Sequence, residues 1–190
     1  MKIRLFIALI LNDKILQEIV DLRKEFYPED NSARWEKKER LHITLKFLGE
    51  VDSSLVSEID NKLESIFKNY NQIDFIFSKF RVIKKHSIPK ILWLGIKRNN
   101  LLESLYSDID IELSKLGFER EERKYNPHIT LLRMKGKEKL SKIERLIQNQ
   151  IEVNNTFIDE AALIKSELHP KGSTYTRIKS YKLNKGGFNG

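Results

Sequence analysis

The sequence has no cysteine, only four histidines, and no long uninterrupted run of apolar residues. Without cysteine, the chain forms no disulfide, uses no thiolate nucleophile and builds no cysteine-based metal site. Its N-terminal apolar run, Leu5 to Leu11, falls far short of the ~20 residues that a membrane-spanning helix needs. No small-residue cleavage site follows this run, so it predicts a buried first strand rather than a signal peptide. We expect a cytoplasmic protein with no membrane partner.

Several catalytic signatures are also missing. The chain has no Gly-x-Ser-x-Gly elbow, no glycine-rich phosphate loop and no Walker motif. What is present is a chain of 190 residues, 40% hydrophobic, with a net charge of +8. That length and composition suit one globular domain. The charge favours an anionic partner such as nucleic acid, although an ordinary basic surface also fits, because the charges form short clusters rather than a basic tail.

The spacing of apolar residues predicts alternating strands and helices. Alternating or continuous apolar residues predict strands at 2–10, 41–48, 73–83, 91–96, 128–133, 157–166 and 174–183. Spacings of three and four predict helices at about 15–26, 55–66, 102–116 and 138–149. The basic segment 84–90 is interpreted as a loop or turn.

These elements form two similar sets, which predicts a duplicated fold. We expect an α+β, bilobed architecture with pseudo-two-fold duplicated antiparallel sheets, outer helices and a central cleft. The whole chain, 1–190, then forms a single two-lobed domain with a loose tail at about 186–190.

The phrase His-Ile-Thr-Leu occurs twice, and this repeat is the main functional signal. The first copy begins at His42 and the second at His128, 86 positions later. Residues two apart in a strand share a face, so each copy places its histidine about 7 Å from its threonine, Thr44 or Thr130. If the two strands line one cleft, they supply two groups for proton transfer and two hydroxyl donors for a phosphate.

The residues alone leave three chemistries open for these motifs. The favoured one is general acid/base catalysis at a phosphate, in which either histidine can be the acid. A metal site is less favoured, because no acidic residue adjoins either histidine and His-x-Thr supplies one good ligand per strand. Inert strand histidines are the third reading.

Longer phrases around the motifs carry a family resemblance. The chain resembles, over nearly its whole length, the RNA 2′,3′-cyclic phosphodiesterases, also known as 2′-5′ RNA ligases, of the two-histidine phosphoesterase superfamily. The matching segments are Arg4–Leu9, Arg34–Trp35, Leu41–Gly49, Pro89–Gly95, Asn126–Arg133 and Gly172–Tyr175.

The resemblance implies a reaction and a division of roles. The reaction is opening of a 2′,3′-cyclic phosphate on RNA 3′ ends or nucleotides to leave a 2′-phosphate, without a metal or other cofactor. By position, His42 matches the proton donor and His128 the proton acceptor. Arg133 matches a phosphate-binding arginine, and Phe47 matches an aromatic that stacks on the terminal base. Tyr175 either lines the cleft or fills the core.

Two questions remain open from the sequence. Phe47 and Arg133 each follow their motif histidine by five residues, so an ideal strand places them on the opposite face unless a bulge, twist or strand end redirects them. Otherwise they are a core phenylalanine and a solvated arginine. The same site also suits cleavage or reversible joining of 2′-5′ linkages, or a non-catalytic RNA-end binding module. We expect a monomer.

The remaining histidines and the tryptophans are interpreted as residues without a role in the reaction. His169 stands where the family more often has a serine, and we interpret it as a loop residue. His86 is interpreted as solvated, and Trp35 and Trp93 as packing residues.

Overall fold

The structure is a computed structural model that describes residues 1–26, 35–97, 99–136, 138, 140–148, 156–170 and 172–185. The predicted tail at 186–190 and Arg34 lie outside the described residues. The helices are α1 (Asp13–Phe26), α2 (Val56–Phe67), α3 (Asn100–Ser114) and α4 (Leu140–Gln148). The strands are β1 (Lys2–Ile10), β2 (His42–Asp52), β3 (Ile73–Phe75), β4 (Phe77–Lys85), β5 (Ile88–Ile96), β6 (His128–Arg133), β7 (Thr156–Ile158), β8 (Glu160–His169) and β9 (Gly172–Lys182).

The strands form a seven-stranded sheet of order β4-β5-β6-β2-β1-β8-β9 and a two-stranded sheet of β3 and β7. Every strand pair is antiparallel. The large sheet consists of two halves, because β2 and β6 are paired at one position, Ile43 with Ile129. Each half therefore ends on a motif strand, as the predicted bilobed α+β fold requires.

A large apolar core lies between the sheet and the helices. All four helices contribute to it through buried side chains such as Ile15, Ile59, Ile109 and Ile143. On β1, the alternate residues Leu5, Ile7 and Leu9 point into this core. Phe6 and Ala8 point to the opposite face, where they form a separate small cluster with Ala162 and Ile164. The opposite face of the sheet is therefore the one left for a site.

Two strand predictions and the prediction for the segment 84–90 differ from the structure. The predicted strands 73–83 and 157–166 are each split in two, at Ile76 and at Asp159, and the short pieces β3 and β7 pair with each other. The predicted loop 84–90 belongs almost wholly to β4 and β5, which are joined by a two-residue turn at His86 and Ser87. Apolar spacing did not reveal these points because the breaks depend on which strand each piece pairs with.

Within the described ranges, no helix is long and apolar enough to cross a membrane. His169, predicted to lie in a loop, is the last residue of β8 and pairs with Gly172. Its side chain is exposed.

Candidate active site

The pairing of the motif strands brings the two motifs onto one face of the sheet, which we call the site face. Ile43 and Ile129 pair directly, and both are fully buried in the core. Their neighbours along each strand therefore point to the opposite face. Those neighbours are His42, Thr44, His128 and Thr130. In an antiparallel pair with this register, each histidine stands across from the threonine of the other strand.

The two imidazoles are held in the same way. His42 Nδ1 lies 2.7 Å from the carbonyl oxygen of Arg40, and His128 Nδ1 lies 2.8 Å from that of Asn126. A carbonyl oxygen only accepts hydrogen bonds, so Nδ1 carries the proton in both rings. Nε2 is then the atom that takes up or releases a proton, which suits either histidine to act as an acid or a base.

Aromatic rings pack around His42. The ring centroid of Phe6 lies 5.0 Å from that of His42, and the centroid of Tyr175 lies 5.6 Å away. Tyr175 is partly buried and also contacts Phe6, with 5.1 Å between centroids. Of the two placements left open for Tyr175, the structure shows it beside His42 on the site face, packed against the small apolar cluster.

This environment lowers the pKa of His42. The main cause is burial, which disfavours the charged imidazolium. The hydrogen bond to the Arg40 carbonyl acts in the opposite direction and raises the pKa, while the positive charges of Arg133 and His128 lower it further. His42 in the unliganded protein therefore favours the neutral form.

A tryptophan packs against the second histidine. Trp93 is buried, as predicted, and its ring lies edge-on to His128 with 4.7 Å between centroids. The guanidinium of Arg81 lies over Trp93, 5.9 Å from the ring centroid. Trp93 pairs with Thr130 across β5 and β6, so these rings lie on the site face.

A one-residue bulge follows each motif and resolves the geometric difficulty posed by the sequence. The extra residue is Leu45 in β2 and Leu131 in β6. In both strands the bulged leucine and the next residue are both buried. The alternation of side chains between the two faces of the sheet therefore shifts by one residue at this point. Phe47 and Arg133 consequently share the face of the motif histidines. Phe47 is 69% exposed, so it is not the core phenylalanine that the sequence left as an alternative.

The exposed Arg133 has a partner that the sequence did not indicate. Its Nε lies 3.2 Å from Glu36 Oε1. Glu36 is held in turn by its backbone amide, which donates to the Leu131 carbonyl at 2.8 Å. The neighbouring Trp35 bridges to Leu132 and packs against the core. Glu36 thus fixes the arginine at the edge of the site.

A buried ion pair supports the other edge. Lys46 Nζ donates to Asp110 Oδ1 at 2.5 Å and to the Glu119 carbonyl at 2.8 Å. Asp110 also accepts from Arg120 Nε and the Glu121 amide, both at 3.2 Å. Burial alone raises the pKa of Asp110, but these hydrogen bonds outweigh it and the pKa is lowered. The pair was not foreseen, because only the bulge turns Lys46 inward.

The segment 119–126, whose first residues bond to Lys46 and Asp110, forms one wall of an open cleft. The cleft is lined by residues 44–47 and 119–126 together with Tyr106 and His128. The Tyr125 hydroxyl donates to the Thr44 carbonyl at 3.1 Å, and its ring stacks on Tyr106 at 4.1 Å between centroids. Across the described part of the chain, no three His, Asp or Glu side chains come together as a metal-binding group.

Comparison with known proteins finds two copies of one family unit along the chain. The family model described as "LigT like Phosphoesterase" matches this chain twice, at residues 10–93 and 94–175. Each matched segment contains one His-Ile-Thr-Leu motif.

Two curated relatives share the same name, "RNA 2′,3′-cyclic phosphodiesterase". The protein from Methanothermobacter thermautotrophicus is 30% identical over 186 residues, which covers 96% of this chain and 100% of that protein. The protein from Thermotoga maritima is 33% identical over 176 residues, which covers 90% of this chain and 91% of that protein.

Solved structures show the same fold. The chain is similar to TT0787 of Thermus thermophilus, with a TM-score of 0.76, 19% identity and coverage of 96% of this chain and 98% of that chain. It is also similar to Escherichia coli LigT in its apo form, with a TM-score of 0.73, 21% identity and coverage of 97% and 99%. LigT has also been solved in complex with 3′-AMP.

Proposed function

The chain belongs to the LigT-like phosphoesterase family, and on that premise we propose that it is an RNA 2′,3′-cyclic phosphodiesterase. The observation that carries the proposal is the pair of motif histidines, each with Nδ1 bound to a backbone carbonyl and Nε2 left for proton transfer. Curated relatives of this chain bear the name of that activity. The substrates are RNA 3′ ends or nucleotides with a 2′,3′-cyclic phosphate.

The reaction follows from placing the cyclic phosphate between the two imidazoles. His128 Nε2 takes a proton from a water molecule, whose oxygen forms a bond to phosphorus. The bond from phosphorus to the 3′ oxygen breaks, and that oxygen receives the proton of His42 Nε2–H. The product carries a 2′-phosphate and a free 3′ hydroxyl. His42 ends neutral and His128 protonated, and exchange with solvent restores both.

The two threonines stabilise the transition state. Negative charge grows on the non-bridging phosphate oxygens as water attacks, and donors aimed at those oxygens lower the barrier. Thr44 and Thr130 lie on the site face, one beside each histidine, and supply one hydroxyl each.

Three other residues bind the substrate around the phosphate. Arg133 pairs with the phosphate charge, and its ion pair with Glu36 orients the guanidinium. Phe47 stacks on the terminal base, for which its exposed ring is available. Tyr175 forms the wall beside His42.

The assignment of His42 as the acid sets a condition on binding. The pKa of His42 is lowered in the unliganded protein, so the imidazolium is not the favoured form there. A bound phosphodiester brings a negative charge next to the ring and raises that pKa. Substrate binding therefore supplies the protonated state that the acid role requires, while His128 acts as the base.

The test is an assay on a nucleoside 2′,3′-cyclic phosphate with EDTA present and with the product isomer identified. We expect the 2′-phosphate, unchanged rates with EDTA, and losses of about 10²–10⁴ in kcat for His42→Ala and His128→Ala with the fold retained by circular dichroism. His86→Asn is the matched control, because His86 is exposed in a turn and asparagine tolerates its positive φ.

The same assay separates the competing functions. Turnover of a 2′-5′ dinucleotide in preference to the cyclic phosphate indicates the 2′-5′ phosphodiesterase or ligase reaction. Saturable binding of the cyclic phosphate with no product over hours indicates a binding module and contradicts the proposal. The monomeric state and the cytoplasmic location stay predictions, which gel filtration and cell fractionation test.

A further inference from the structure

One hairpin beside the site carries most of the net charge of the protein. The segment 77–97, which comprises β4, β5 and Lys97, contains six lysines and arginines and no acidic residue. The net charge of the chain is +8, so all other residues together carry only +2. The six cations are Lys79, Arg81, Lys84, Lys85, Lys90 and Lys97.

These charges are not compensated by neighbouring acids. All six side chains are exposed. None of them has a carboxylate within 4.0 Å among the residues that the structure describes. Arg133, by contrast, lies nearby and is paired with Glu36. An uncompensated cluster of this kind attracts a polyanion.

The strand register connects this hairpin to the catalytic face. Arg81 pairs with Trp93, and Trp93 pairs with Thr130, so Arg81 lies on the site face two strands from the motif. Its guanidinium lies over Trp93, whose ring packs against His128. Lys85 is four residues further along β4 and shares this face, at about 13 Å from Arg81 along the strand.

Exposed apolar side chains lie between the cations. Ile83 is 44% exposed and stands between Arg81 and Lys85 on β4, while Ile88, paired with Lys85, is 53% exposed. Alternating cations and apolar groups suit a strand of nucleotides, because phosphates meet the charges while sugars or bases cover the apolar surface.

The cleft wall formed by residues 119–126 does not offer such a surface. Residues 119–124 contain three acidic and three basic side chains and carry no net charge. Part of that charge is already used, because Arg120 pairs with Asp110. Of these two surfaces, the hairpin is the one that carries a net positive charge.

We propose that β4 and β5 bind the single-stranded RNA that precedes the cyclic phosphate, with backbone phosphates at Arg81 and Lys85. The inference rests on the proposed function, since a 2′,3′-cyclic phosphate is the 3′ end of a polyanionic chain that must leave the site in some direction. Lys84 and Lys90, near the turn, add to the attraction. The hairpin thus makes the protein select oligonucleotides over mononucleotides.

Direct binding tests the inference independently of catalysis. The probe is a fluorescent eight-nucleotide single-stranded RNA with an ordinary 3′ hydroxyl, titrated with the protein at several salt concentrations. For Lys84→Gln/Lys85→Gln, we expect binding about five- to tenfold weaker than wild type. The slope of log affinity against log salt falls by about 0.7, since Lys85 makes one phosphate contact and each such contact on a single strand contributes about 0.7.

The matched control removes the same charge elsewhere. Lys2→Gln/Lys14→Gln changes two exposed lysines, at the far end of β1 and on α1. Equal losses of RNA affinity in the two double variants overturn the inference, because they show a general charge effect only. Equal affinity of the hairpin variant and the wild type also overturns it.

Kinetics on cyclic substrates of increasing length complete the test. In the wild type, kcat/KM rises from the nucleoside 2′,3′-cyclic phosphate to an eight-nucleotide RNA with the same end, whereas in Lys84→Gln/Lys85→Gln the rise is reduced and the mononucleotide rate is kept. If no cyclic substrate is turned over, the proposed function fails while the binding result still decides the hairpin. If the wild type shows no dependence on length, the hairpin inference fails while the activity stands.

Discussion

Leu45 and Leu131 are the extra residues of two equivalent bulges, one in each half of the sheet, and each directly follows a His-x-Thr sequence. The bulges bring the residue five positions after each histidine onto the site face. One half presents Phe47 there and the other presents Arg133. A nearly symmetric backbone therefore carries two different side chains, one suited to a base and one to a phosphate.

The first prediction concerns Arg133 and the pKa of His42. Arg133→Gln removes a positive charge that disfavours the His42 imidazolium, so the pKa of His42 in the unliganded protein rises relative to wild type. Titration of the His42 ring signals by NMR measures it. Arg4→Gln, which removes an exposed arginine at the opposite end of β1, leaves that pKa unchanged. A lower pKa in Arg133→Gln contradicts the electrostatic account.

The second prediction links His42 to stability. The folded protein holds the pKa of His42 below its ordinary value of about 6.5, so the unfolded chain binds its proton first as the pH falls. The free energy of unfolding therefore decreases as the pH drops from about 6.5 toward the folded pKa, and this contribution is absent above that window.

Urea unfolding at pH 7.5 and 5.5 measures this effect. The loss of stability at the lower pH is smaller in His42→Gln than in wild type, because the variant cannot titrate there. His86→Asn serves as the control and shows the wild-type loss. An equal loss in His42→Gln and wild type rules out this role for His42.

The third prediction concerns the ion pair of Lys46 and Asp110, both of which are buried. Asp110→Asn leaves the Lys46 ammonium buried without its counter-charge, and such losses cost about 3–5 kcal/mol of unfolding free energy. Lys46→Met/Asp110→Leu removes both charges and is less destabilised than Asp110→Asn. Urea unfolding of Lys46→Met, Asp110→Leu and their combination forms a double-mutant cycle. Additive effects would show that the two groups are not coupled.

The fourth prediction concerns the turn of the basic hairpin. Ser87 has a φ of +64°, a left-handed conformation that costs a non-glycine residue about 1 kcal/mol. Ser87→Gly relieves this cost and raises Tm by about 2–4 °C. Ser180→Gly serves as the control. Glycine within the exposed part of β9 weakens the strand, so we expect this variant to have a lower Tm than wild type. A lower Tm for Ser87→Gly argues against strain in the turn.

The sequence by itself determined most of the local elements and the repeated motif. Alternation of apolar residues predicted β1 and β6 at their observed bounds, since strand pattern depends on which side chains face the core. The repeat placed a histidine and a threonine on one face of each of two strands, for which the two-residue period of a strand is sufficient.

Only the tertiary structure decided how these parts combine. The pairing of Ile43 with Ile129 joins the two motifs, and the bulges at Leu45 and Leu131 turn Phe47 and Arg133 toward the same face. Register and bulges depend on hydrogen bonds between segments far apart in the chain, and a one-residue change reverses the face of every following side chain. No local pattern contains that information.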